Sequence, residues 1–413
     1  MVNESKQERN IPMQHGSPCV LIVYASYGDG HLQAARSLRD SLYQRGIERV
    51  ILLDLMAESH PWMNEMTRLI YMQSFKTIPH LYGWFYYRTR EMKAGTLLSN
   101  WLHSFGIRRL REVMEREQPH LVIHTFPQLA LPHLRTRWGL TIPLVNIVTD
   151  YDLHGRWLHP HIDHYYVPSE EMRDEAIRRG VAAERITIAG IPLHHSFEQP
   201  ETDEEQRRQQ RRKLQLQTGL DPQRRTVLLL AGAYGVLKNV QEICEMIDRR
   251  ADTQLIVICG KNKELCEEMG KRYAHHPYIR IEGFTKRMND WMSMSDCVIT
   301  KPGGLTMAEC ISCRLPAFLM NPVPGQELEN ALYLEARQAA RICRNAQELN
   351  AALGSALDQP EILESMRRHM DTLRTPPASA QITQELIDRY LSRVTDEAAA
   401  IRPMLALQGG RYM

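Results

Sequence analysis

The chain has 413 residues, 43% of them hydrophobic and 24% charged, with 51 basic against 49 acidic side chains, the profile of an ordinary soluble globular protein. Disordered and fibrous classes are excluded, and at ~100–200 residues per domain the length implies two to three domains, each able to bury a core. A formal net charge of +2 gives no global field for nucleic acid, so attraction to an anionic surface has to come from a local patch.

Residues 1–17 are polar and charged without an apolar leader, and no stretch reaches the ~18 apolar residues of a membrane-spanning helix. A flexible tail and a chain neither secreted nor transmembrane are expected. From Cys19 short β-branched runs alternate with helical stretches. Cys19–Ala25, Val50–Leu53, Leu121–His124, Pro143–Thr149 and Tyr165–Val167 read as strands, with amphipathic helices such as Leu32–Arg45 between them. This rhythm predicts a mostly parallel sheet in an N-terminal domain over 18–200.

Inside that domain lies an aromatic and basic insertion, about 62–111. Trp62, Tyr71, Phe75, Tyr82, Trp84, Phe85, Tyr86, Tyr87, Trp101 and Phe105 concentrate ten of the chain's 29 aromatics there. Between Arg68 and Arg111 eight basic residues, Arg88 and Arg90 among them, stand against Glu91 as the single acid, a local charge of +7. Aromatic and cationic side chains together favour the headgroup zone of an anionic leaflet, where each Lys or Arg contributes ~1 kcal/mol. Trp62, Tyr82, Trp84, Phe85, Tyr86, Arg88, Arg90 and Trp101 are the expected acceptor- or membrane-facing set. The competing reading makes the aromatics the core of a helical insertion and the arginines its solvated face. Nucleic acid is not an expected partner, because no base-reading module is recognisable.

The charge-dense stretch between Ser196 and Arg225 predicts a linker at 201–225 with an exposed helical portion. The strand rhythm restarts at Thr226–Ala231, Gln254–Cys259, Tyr278–Ile281, Cys297–Thr300 and Pro316–Met320, giving a second doubly wound domain over 226–376. Residues 377–394 hold a further helical pattern expected to pack back on the first domain, and 395–413 read as a tail. The eight cysteines sit mostly in apolar runs, as reduced core thiols do. Cys310 and Cys313 form one CxxC, but it lacks a second pair and falls in a helical stretch, so it reads as packing.

Three loops carry chemistry. The first strand ends in Ser26-Tyr27-Gly28-Asp29-Gly30-His31 and runs into a helix. The glycines allow a tight turn, and the partial charge of the helix start depresses the imidazole pKa toward a neutral base. The second domain opens with Gly232-Ala233-Tyr234-Gly235 after a strand, then Lys238, where backbone amides suit a phosphate. The strongest signal is Thr300-Lys301-Pro302-Gly303-Gly304-Leu305-Thr306-Met307-Ala308-Glu309, a strand yielding to a helix start whose free N–H groups suit a diphosphate. Glu309 lies about a turn and a half in, within reach of sugar hydroxyls. A proline-stiffened loop, Asn321–Asn330, then presents Gln326, Glu327 and Asn330, side chains suited to hexose hydroxyls. Each of these also has a plain reading as cap or helix former.

The span from about Cys19 to about Ala340 resembles the bacterial processive diacylglycerol β-glucosyltransferases and the plant monogalactosyldiacylglycerol synthases, of glycosyltransferase family 28. The likeness rests on GAYGVLKN with the later ICGKN, on TKPGGLTMAE, on PVPGQELENA and on VTDYDLHGRWLHPHIDHYYVPSEEMR. It implies a GT-B fold, two Rossmann-like domains across a cleft. It implies that His31 is the catalytic base, that Gly303, Gly304 and Thr306 bind the diphosphate and Glu309 the ribose, that Gln326 and Glu327 read the hexose, and that backbone at Phe284 meets uracil. Asp29 departs from the plant pattern, which has glycine there. Asp150, at the end of a strand, is expected to face the cleft and orient His31 or the acceptor. The four histidines His154, His159, His161 and His164 follow a loop spacing, and the resemblance implies no metal and no cofactor beyond the UDP-sugar. The expected protein is a peripheral enzyme on the cytoplasmic face of the membrane, moving a hexose, glucose first, from UDP to the sn-3 hydroxyl of diacylglycerol with inversion. A GT-B-fold UDP-sugar epimerase and a non-catalytic UDP-sugar-binding regulator are the alternatives.

Overall fold

The computed structural model describes residues 17–26, 29–59, 79–92, 106–127, 130–198, 203–232, 237 and 239–392. Its first half runs β1 (Cys19–Tyr24), α1 (Asp29–Gln44), β2 (Arg49–Asp54), α2 (Leu55–Ser59), α3 (Pro79–Thr89), α4 (Ile107–Glu117), β3 (Leu121–His124), α5 (Ala130–Trp138), β4 (Leu144–Ile147), β5 (His164–Val167), α6 (Glu170–Arg178) and β6 (Ile186–Ile188). The second half follows with α7 (Glu204–Gln217), β7 (Arg225–Leu230), α8 (Val240–Asp248), β8 (Thr253–Ile258), α9 (Lys263–Arg272), β9 (Ile279–Glu282), α10 (Met288–Met294), β10 (Cys297–Thr300), α11 (Gly304–Ser312), β11 (Ala317–Met320), α12 (Gln326–Ala336) and β12 (Ala340–Cys343). Three more α-helices follow, α13 (Ala346–Asp358), α14 (Pro360–Asp371) and α15 (Ala378–Leu386), the last continued by a π-helical turn over Ile387–Leu391.

Two parallel six-stranded sheets result, ordered β2-β1-β3-β4-β5-β6 and β12-β11-β10-β7-β8-β9. Their strands read as near-continuous apolar runs because helices cover both faces, and β1, β3, β4, β7, β8, β10 and β11 are buried almost throughout. The strands expected from the sequence are present within a residue or two at each end. Two are additional, β6 and β12, each at a sheet edge. Both are short and half-exposed, so the apolar run that marks a central strand is missing from them.

In each sheet the direction of winding reverses once, between β1 and β3 and between β10 and β7. A crevice opens at such a switch point beyond the carboxyl ends of the strands, and ligands of doubly wound folds bind there. The four loops bordering the two crevices are those after β1, β3, β7 and β10, the first leading into His31 at the start of α1 and the others holding Thr125, Gly232 and Gly303. Helix α15 returns to the first domain, where Ala378, Ile382 and Leu386, one turn apart, join Val20, Ile22, Ala35 and Leu38 in a core. Ser41 and Thr383 hydrogen-bond at 2.8 Å along the same contact. Segment 204–217, expected as an exposed helical portion of a linker, is a helix from the Asp203 cap onward, exposed along most of its length, with Gln215 buried against Met294 of α10.

Candidate active site

His31 is the third residue of α1 and half-buried. Its Nδ1 lies 2.8 Å from the Thr125 carbonyl oxygen and 2.9 Å from Thr149 Oγ1. A carbonyl only accepts, so Nδ1 carries the proton and Nε2 keeps its lone pair, the tautomer a general base requires. Burial pushes the imidazole down from 6.5 to about 4, partly offset by the bond to Thr125. The neutral base expected from the sequence follows here from withdrawal from water. Phe126 meets the ring edge-on at 5.0 Å.

Thr149 ties this base to the second domain. Helix α11 starts at Gly304 directly against the residues that follow β4, and a Cβ on Gly304 would overlap the Thr149 carbonyl oxygen and the Asp150 carboxylate. Only glycine permits that approach. Gly30 and Leu305 pack from the two sides, with 3.7 Å between a Cβ built on Gly30 and that of Leu305. The histidine lip and the Gly303-Gly304 helix start, with Thr306 in its first turn, therefore share one seam.

Of the two partners expected for Asp150, His31 or the acceptor, His31 is not in contact with it. The neighbouring Thr149 contacts His31 instead, while Asp150 accepts from Asn330 Nδ2 at 3.1 Å and from Gln326. Burial raises its carboxyl to about 7, and the two amides pull the other way. Asn330 is fully buried: Nδ2 also donates to the Pro302 carbonyl at 3.2 Å, and Oδ1 accepts from the Tyr151 backbone at 2.7 Å. Both its N–H bonds are directed at protein, so Asn330, expected among the hexose-reading residues, is in this structure a tie across the domain seam. The sequence pattern placed Asn330 on the right loop, but its spacing carries no sign of which turn of α12 faces inward.

Glu309 is half-buried, and among the described residues neither a cation nor a hydrogen-bond donor meets its carboxyl group. Burial alone raises it to about 8, so at pH 7 it is neutral and can donate as well as accept. Glu327 accepts from the Val323 backbone at 3.1 Å and stands 3.6 Å from Lys301 Nζ, which also donates to the Asn321 carbonyl. Phe284 is 58% exposed beyond the carboxyl end of β9. Gly232 follows β7 with φ 85°, while Gly235 and Lys238 lie outside the described residues, as do Trp62 and Trp101.

The aromatic helix α3 divides by face. Leu81, Trp84, Phe85 and Arg88, at spacings of three and four, are exposed. Tyr82, Tyr86 and Arg90, from the set expected to face acceptor or membrane, turn inward: Tyr86 donates to Asp152 Oδ2 at 2.6 Å, Arg90 pairs with Asp152 Oδ1 at 2.5 Å, and Tyr82 stacks toward Tyr86. Asp152 is buried and draws them in. Sequence reasoning missed Thr125, Thr149, Asp152 and the interdomain ion pair of Asp29 with Lys261, 2.7 Å. Asp29, the departure from the plant pattern, and ICGKN, which holds Lys261, were both visible as signals. The four histidines do not converge: His154 meets Thr89 and Tyr86, His159 bonds the His161 backbone, His161 the Pro132 carbonyl, and His164 Thr187.

Two doubly wound domains joined so that both switch points open on one cleft constitute the GT-B arrangement, and solved structures share it across almost the whole chain. They include a Staphylococcus aureus MnaA–UDP structure (TM-score 0.57, 13% identity, 90% of this chain and 96% of that one) and Acinetobacter baumannii MurG (0.59, 15%, 90% and 100%). At these identities the likeness is one of fold. Residues 31–193 match the family model for monogalactosyldiacylglycerol (MGDG) synthase, and 226–382 the glycosyltransferase family 28 C-terminal domain. Processive diacylglycerol beta-glucosyltransferases of Bacillus cytotoxicus and Bacillus licheniformis are each 34% identical over 90% of this chain and 94% of their own. The chain belongs to this family of diacylglycerol glycosyltransferases.

Proposed function

We propose that the protein transfers a hexose, glucose first, from its UDP donor to the sn-3 hydroxyl of diacylglycerol with inversion. The observation that carries the reading is His31 with its tautomer fixed by Thr125, set in one seam with the helix start at Gly303-Gly304. Nε2 takes the proton of the acceptor hydroxyl as that oxygen attacks the anomeric carbon opposite UDP. Free N–H groups of α11 meet the charge growing on the leaving diphosphate, so the reading requires no metal cofactor. Glu309, neutral at pH 7, donates to one ribose hydroxyl and accepts from the other. Gln326 and Glu327 read the hexose, and retention of the product in the acceptor groove allows further sugars to be added.

The acceptor is a membrane lipid, and no helix among the described residues is long and apolar enough to cross a membrane. The proposed seat is the outer face of α3, Leu81, Trp84, Phe85 and Arg88, on the anionic cytoplasmic leaflet. Labelled UDP-glucose and UDP-galactose, offered with diacylglycerol vesicles with and without anionic lipid, test the whole reading. Expected is lipid-soluble label that rises with anionic lipid, survives EDTA and falls roughly 10²–10⁴-fold in His31→Ala, the range for a lost general base. Conversion of the donor to its 2-epimer without lipid product would establish the epimerase alternative instead.

A further inference from the structure

Helix α3 touches more than its own domain. On the first-domain side Tyr86 and Arg90 anchor it to Asp152. On the second-domain side Tyr87 donates its hydroxyl to Glu329 Oε1 at 2.8 Å and accepts the Gly325 backbone N–H at 3.4 Å. One turn earlier Gly83 lies so close to Pro324 that a Cβ there would overlap the proline ring. Pro324 and Gly325 immediately precede Gln326 and Glu327, the first residues of α12. The same eleven-residue helix exposes Leu81 at 58%, Trp84 at 63% and Phe85 at 45%, and Tyr87, one turn on from Trp84 and 39% exposed, stands at the margin between that face and the second domain.

We propose that Tyr87 is a positioning residue that couples the lipid surface to the donor site: seating the outer face of α3 on an anionic membrane holds the Pro322–Gly325 loop through Tyr87 and Glu329, and the UDP-sugar then binds more tightly. The inference rests on the lipid-surface reading above. Its physical basis is ordering. A helix fixed on its outer face loses freedom, and because Tyr87 at the margin of that face is bonded to the donor loop, the loop is ordered before the sugar arrives and binding costs less. Such coupling is reciprocal: if the surface tightens the donor by some factor, the donor tightens surface binding by the same factor. Tyr87 suits the role because its hydroxyl reaches both the loop backbone and α12, whereas Tyr86 is committed to Asp152.

The test is UDP-glucose binding by calorimetry, without diacylglycerol so that no lipid product forms, in buffer and on vesicles of phosphatidylglycerol and phosphatidylcholine, with vesicle co-sedimentation measured in parallel. The wild type is expected to bind the donor about fivefold or more tightly on vesicles, the lower end of usual allosteric coupling. Tyr87→Phe and Glu329→Ala should sediment like the wild type yet show one dissociation constant in both conditions. Glu329→Gln keeps an acceptor for the Tyr87 hydroxyl and should restore the shift, which a merely structural role for this residue would not predict. If Tyr87→Phe and Glu329→Ala respond to vesicles as the wild type does, the proposal is overturned. A wild type that sediments without any change in donor affinity overturns the coupling and leaves the lipid seat standing. A wild type that fails to sediment removes both.

Discussion

His31 is a base whose strength is set by burial, and this fixes how activity depends on acid. With the imidazole lowered to about 4, the group remains neutral through the physiological range. The acid limb of kcat/KM is therefore expected near pH 4 and not near the ordinary histidine value of 6.5, with this group contributing no change between pH 6 and 8. Product formation measured from pH 4 to 8 checks it, and a half-maximum near 6.5 would mean an imidazole more hydrated than the geometry indicates. Much of this residue was legible from sequence: a glycine turn between strand and helix places a histidine at the crevice whatever the rest of the chain does. Its partners were not. Thr125 and Thr149 are distant in sequence and contribute through a backbone carbonyl and a hydroxyl that no local pattern distinguishes.

At the scale of elements, periodicity carried the central strands and lost its force in two places. Edge strands β6 and β12 bury too little to show an apolar run. Helix α3 has aromatics on every face, so spacing alone did not separate Trp84 and Phe85, which face outward, from Tyr82 and Tyr86, which the buried Asp152 network holds inside. That division makes a prediction. Trp84→Ala with Phe85→Ala should weaken co-sedimentation with anionic vesicles by roughly tenfold or more, since each removes a large apolar side chain from the seat. The same pair should change stability by only about 0.5 kcal/mol, because exposed side chains contribute little to folding. Vesicle titration beside urea unfolding separates the two. Equal loss in both would show that the aromatics serve the fold and would return α3 to the reading in which they form the core of an insertion.

The whole molecule depends on how its two domains meet, and the buried tie there is Asn330. Its amide bonds Asp150 and Tyr151 of the first domain and Pro302 of the second, so one side chain satisfies three buried groups across the seam. A family pattern marks the loop that carries Asn330 but not its partners, because the contact forms only when Asp150 and Asn330, 180 residues apart in the chain, are brought together as the two domains close on each other. Asn330→Ala leaves the Tyr151 N–H and the Pro302 carbonyl without this partner and takes from the Asp150 carboxyl one of its two amide donors, and a loss of roughly 1–3 kcal/mol is expected for such unsatisfied buried groups. The size of the loss should vary with pH. Asp150 has its folded pKa raised from 3.8 to about 7, so the native state holds this proton more firmly than the unfolded chain does, and that contribution is lost as pH rises through 7. Above that point the carboxylate is ionised in the wild type and relies on the Asn330 donor, which the alanine cannot supply. Urea unfolding at pH 6 and pH 8 should accordingly show the variant falling further behind the wild type at pH 8, whereas a deficit equal at both would mean that Gln326 alone suffices to hold the charge.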